Sequence, residues 1–124
     1  MKRLISAGVL FVFVVTAYVS SYFYIKKTCD ETIELVRLCE ENYKDEKNAY
    51  ETAEKIDEVW VQKEKTLSFF VNHDRIDEVE LELSSLLLYS RTKDEILFYE
   101  NIETLKMLLS QIKEDSMINA HAIF

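Results

Sequence analysis

Residues 48–71, "NAYETAEKIDEVWVQKEKTLSFFV", decide the fold. Ala49, Ala53, Ile56, Trp60, Lys63, Leu67 and Phe70 recur at alternating steps of four and three, the heptad spacing that keeps one face of an α-helix against a partner. The spacing predicts an amphipathic helix, B, over residues 48–71 with one charged intruder. On a helical wheel that intruder, Lys63, falls inside the arc of Ile56, Val59, Trp60 and Leu67, so its ammonium must snorkel or find a partner.

The same period continues on both sides of this stretch. Downstream, "NHD" at 72–74 is the break before helix C (74–90), whose apolar positions are Ile76, Val79, Leu83, Leu86 and Leu87. Helix D (93–115) opens at "TKDE", where Thr92 and Glu95 have capping-box spacing, and it buries Ile96 or Phe98, then Tyr99, Ile102, Leu105, Leu109 and Ile112. The ending "SMINAHAIF" is expected to tuck Met117, Ile118, Ile123 and Phe124 back onto these helices. Upstream, helix A (28–43) carries Cys29, Ile33, Val36, Cys39 and Tyr43, and "YKDEKN" closes it by charge and polarity. With one Gly and no Pro in 124 residues, short polar connections between helices are favoured over hairpin turns. The fold expected is all-α: an N-terminal transmembrane helix, then a four-helix antiparallel bundle or two packed helical hairpins.

Ahead of helix A lies "LISAGVLFVFVVTAYVSSYFYI", residues 4–25, which contains no charge. As a helix it spans roughly 33 Å, enough for a bilayer core. A cleaved signal peptide is the alternative, since "MKR" resembles an n-region and Val19 and Ser21 suit a cleavage site. The run exceeds a usual h-region, however, and ends in Tyr22, Phe23 and Tyr24 followed by Lys26 and Lys27, the pattern of an aromatic belt at the headgroups. The division expected is therefore a signal-anchor over 1–25 and an acidic helical domain over 26–124. A short basic start ahead of the span places the N-terminus in the cytoplasm and the domain on the outer face of the cell membrane, single-pass. Thr16 with Ser20, and Ala17 with Ser21, have the spacing that allows close contact with a second copy.

Setting aside Lys2 and Arg3, the domain carries 13 basic and 23 acidic side chains, a net charge near −10. Nucleic acid is thereby excluded as a partner, and repulsion from anionic headgroups should make the domain stand off the membrane surface. Cys29 and Cys39 would lie about 15 Å apart on a helix, beyond the disulfide limit of about 7 Å. They are read as inert thiols, with a Cys29 bridge to a second copy as the alternative.

Chemistry is sparse. On the wheel of helix C, His73, Asp77 and Glu80 share one flank, and one His with two carboxylates is a donor set that zinc or iron accepts. A complete site would need further donors such as Glu58 or Glu64. The competing reading assigns Asn72 or Asp74 to the cap of helix C, Asp77 and Glu78 to its positive dipole end, and His73 to a cover over Phe69, Phe70 and Trp60. In an antiparallel B/C hairpin Lys63 comes within reach of Glu80, which predicts a half-buried ion pair. The structural positions are thus Trp60, Lys63, Glu80, Asn72 and Asp74. The serines at 84, 85, 90, 110 and 116 lack a His and Asp context, no Gly-rich loop is present, and neither a catalytic residue nor a cofactor is predicted.

"KKTCDETIEL" (26–35), Trp60 followed by "KEKTLSFFVNHDRIDEVELEL" (63–83), and the terminal "NAHAIF" together resemble an uncharacterised family of small, single-span, anchored helical proteins of spore-forming Gram-positive bacteria, a domain of unknown function. Ala122 departs from that family's usual "NIF" ending. The resemblance implies architecture and no activity. Two functions are expected: a non-enzymatic interaction or accessory protein on the extracytoplasmic face, engaging another membrane protein or a second copy, or a metal-binding or metal-sensing module built on His73, Asp77 and Glu80.

Overall fold

The computed structural model describes the backbone of residues 1–123 and the side chains of residues 1–117. Four α-helices, α1 (Lys2–Lys44), α2 (Ala49–Leu67), α3 (His73–Tyr89) and α4 (Glu95–Ile123), make up the chain. The apolar segment and helix A are one uninterrupted helix of 43 residues. With no Pro in the chain and its single glycine at position 8, nothing between residues 20 and 30 breaks the backbone ladder. Among the described residues α1 is the helix long and apolar enough to cross a membrane, with a window of mean hydropathy 2.1 in which no residue is buried.

The amphipathic stripes close into an up-and-down bundle in which α1 packs on α2 and α4, and α3 packs on the same two. Trp60, Phe98, Ile56, Leu67, Leu83, Leu86, Ile102, Leu105 and Leu109 are its largest fully buried side chains. The α1 seam is Ile25, Cys29, Thr32, Val36 and Cys39, steps of four and three, with Thr28 buried beside them. Thr32 thus occupies the position that hydropathy assigns to Ile33, which is only partly buried. The hydroxyl of Thr32 donates to the Thr28 carbonyl at 2.8 Å, so a threonine enters the core without an unpaired donor.

Antiparallel register is fixed by contacts at both ends. Asn42 Nδ2 donates to Thr52 Oγ1 at 2.8 Å and the Cys39 thiol to the Ala49 carbonyl at 3.4 Å, joining α1 to α2. Lys113 pairs with Asp30, and Lys106 with Glu40 at 3.1 Å, joining α4 to α1. At the end remote from the apolar segment, the Tyr43 ring stacks on Phe98 with centroids 3.8 Å apart, and its hydroxyl donates to the Thr92 carbonyl at 3.1 Å.

α1 closes within "YKDEKN" as expected, while helix ends depart from the sequence reading in three other places. The chain leaves α1 through Glu46 at φ 57°, with Lys47 N–H bonded to the Asn42 carbonyl and Glu46 N–H to that of Tyr43, so a glutamate takes the left-handed position where glycine is usual. α2 stops at Leu67 rather than 71, and Phe70, placed in the core by the heptad, is half exposed. α4 begins after Asp94, whose Oδ1 accepts from Leu97 N–H at 3.2 Å, while Thr92 Oγ1 donates back to Tyr89 and forms no capping box. Of the two candidates at the start of α4, Phe98 is buried and Ile96 is 74% exposed. α4 runs on to Ile123 rather than ending at 115, so "SMINAHAI" continues the helix; Met117 is exposed, and the expected tucking of Ile118, Ile123 and Phe124 lies outside the described side chains.

Candidate functional site

The α2–α3 hairpin holds every residue singled out for chemistry. Asn72 caps α3, its Oδ1 accepting from Asp74 N–H at 3.1 Å, and Asp74 lies in the first turn at the positive end of the helix. His73 opens α3 and is exposed, while Trp60 is buried and Phe69 and Phe70 are exposed. Asp77 is likewise exposed, Glu80 is half-buried, and of the two further donors Glu58 is exposed and Glu64 half-buried. Among the described residues no three His, Cys, Asp or Glu side chains converge as metal ligands.

The Lys63–Glu80 pair is not formed. α2 packs between α1 and α3, so the arc that holds Lys63 is divided between two neighbours, and Lys63 sits on the α1 side with its Nζ 5.7 Å from the centre of the Tyr24 ring. One residue on, about 100° round the helix, Glu64 faces α3, and it is Glu64 that meets Glu80. The hydrogen bond between the two carboxyls, partial burial, and the charges of Glu64, Asp77 and Asp57 push the Glu80 carboxyl up to about 7. The Glu80 carboxyl is therefore partly protonated near neutral pH.

An acid whose folded value lies above its unfolded one favours folding only while protonated. The contribution is present below about 4.5 and is lost as pH rises through about 7. Glu80→Gln retains a donor for Glu64 and removes the charge. Urea unfolding of this variant followed by circular dichroism is expected to show a gain of about 1 kcal/mol over the parent at pH 8, a value reduced for solvent screening, and no gain at pH 4. An equal difference at both pH values would rule out the raised Glu80 carboxyl.

Other reactive groups are turned inward. Cys29 and Cys39 are buried, and desolvation pushes both thiols up to about 12, so neither is a thiolate nucleophile or ligand at neutral pH. A Cys29 bridge to a second copy is thereby corrected: in the folded bundle its sulfur has no exposed surface. The hydroxyls of Ser84, Ser85, Ser90 and Ser116 donate to carbonyls of their own helices or helix ends. Sequence reasoning missed Asn101, buried on α4, whose Nδ2 donates to the Glu82 backbone carbonyl at 3.0 Å and to Glu82 Oε2 at 2.6 Å, tying α4 to α3. Its signal was an amide in the turn before Ile102, a pattern shared with many surface asparagines.

A family model, a domain of unknown function (DUF4363), matches residues 19–123. The chain belongs to this family. The match starts in the last turns of the apolar run and takes in all of α2 and α3 and α4 to its end, so the bundle is the unit that the family defines. No curated protein and no solved structure matches the chain.

Proposed function

We propose that this DUF4363 domain is a membrane-anchored, non-enzymatic accessory protein: α1 crosses the cell membrane once and holds the acidic bundle on the extracytoplasmic face, where it engages another membrane protein. The observation that carries the reading is the uncovered apolar half of α1, continuous with a helix whose other half lies in the bundle core. Uncharged side chains that large and that exposed are not maintained in water without cost, and a bilayer removes it. The two lysines after the aromatic cluster Tyr22, Phe23 and Tyr24 suit the outer headgroups. Above them, a cleft on α1 and α2 exposes Leu38 with Leu35 and Val59 inside a charged rim of Asp30, Glu31 and the Arg37 guanidinium paired with Glu34 and Glu41, a surface that fits a partner of apolar centre and polar edge.

The test uses the full chain in native membranes, carrying a photo-crosslinking residue at Leu38. Protease added from outside is expected to remove the bundle, and illumination to give one discrete adduct with a different membrane protein. A protease-protected bundle overturns the orientation, and an adduct only with itself replaces the partner by a second copy.

A further inference from the structure

The turn between α2 and α3 leaves Phe69 82% and Phe70 50% exposed, side by side. From Thr66 to Asn72 the chain carries no charge. The turn does not lie at a free end of the bundle. Phe69 and Phe70 form one cleft of about 320 Å³ with Phe13, Ala17, Tyr18 and Tyr22 of α1. At 1.5 Å per residue, Ala17 is about 12 Å further along α1 than Ile25, where the buried seam starts. The two phenyl rings therefore hang beside the apolar run itself.

From this placement we infer that the Phe69–Phe70 turn is a second membrane contact, seated at the boundary between headgroups and acyl chains, so that the bundle rests on the bilayer instead of standing off it. The inference rests on the anchor reading above and adds a surface that reading does not require. A bilayer that takes up α1 as far as Tyr22 must accommodate whatever is packed beside residues 13–22. The turn is prepared for that environment. Its backbone N–H groups are already paired, Ser68 to Glu64, Phe69 to Thr66, and Phe70 and Val71 to Leu67, at 2.8–3.2 Å, and the Ser68 hydroxyl donates to the Lys65 carbonyl at 2.7 Å. Leaving water thus orphans no backbone donor from Ser68 to Val71. Adjacent aromatics are the side chains best suited to this boundary, and the flanking, exposed Lys65 is long enough to keep its charge in the headgroup layer.

The test places a reporter at the turn of the full-length protein in vesicles of phosphatidylcholine and phosphatidylglycerol that carry bromine on the upper acyl chain. Trp60 is buried and gives a constant background, measured in the parent. Phe69→Trp is expected to emit at shorter wavelength than the same residue in water and to lose intensity in the brominated vesicles, as does Phe11→Trp within the apolar run. Quenching of Phe11→Trp without quenching of Phe69→Trp overturns the second contact and leaves the anchor standing. Absence of quenching at both overturns the anchor and the contact together. Both positions are exposed, so neither substitution disturbs the core.

Discussion

Trp60→Ala is expected to lower the unfolding free energy of the bundle by about 3–5 kcal/mol. Trp60 is 1% exposed and is the largest side chain in the core, on the helix that packs against both α1 and α3. A domain of this size has about 5–15 kcal/mol in total, so the variant should be largely unfolded in urea concentrations that the parent tolerates. Circular dichroism in mild detergent reads the transition, because the substitution removes the only tryptophan. Trp60→Phe is the informative companion. Trp60 Nε1 is buried with no hydrogen-bond partner among the described residues, so phenylalanine keeps most of the apolar area and discards an unpaired donor. It should cost clearly less than alanine; equal losses would mean that the indole N–H has a role in folding.

Val9→Arg combined with Phe13→Arg is expected to release the full chain from the membrane fraction into the soluble one. Both positions are exposed on the apolar part of α1, one turn apart. Each arginine near the middle of a spanning helix costs about 2.5–3.5 kcal/mol on insertion scales, and two are enough to turn a favourable segment unfavourable. Because neither side chain touches the bundle core, helicity and urea stability of the released protein should match the parent. Retention of the double variant in carbonate-washed membranes would sink the anchor reading.

Where local pattern and tertiary contact agree, the sequence was informative. Helix B shows this best: Ala49, Ala53, Ile56, Trp60 and Leu67 are all buried, because a heptad seam needs no knowledge of its partner. The same seam misleads at its end. Phe70 keeps the period after the helix has stopped, since a count of residues carries no information on where the backbone turns away. Thr32 was hidden for the opposite reason, a polar side chain whose hydroxyl is satisfied within its own helix. The candidate site was less legible than the fold. Whether Glu80 meets Lys63 or Glu64 turns on which neighbour each face of α2 meets, and spacing along one helix gives the face without the neighbour. Thr92 and Asp94 competed for one helix start, and Asp94 caps it while the Thr92 carbonyl accepts from the Tyr43 hydroxyl of another helix.

The unbroken passage of α1 from its apolar half into the bundle has a consequence in the plane of the membrane. With no swivel between the two halves, the compass bearing of the bundle relative to any helix lying beside α1 in the lipid is set by residue count alone. One residue inserted near Tyr24 would turn the whole domain by about 100° about the shaft while raising it only about 1.5 Å. A neighbour would then meet a different side of the same folded domain.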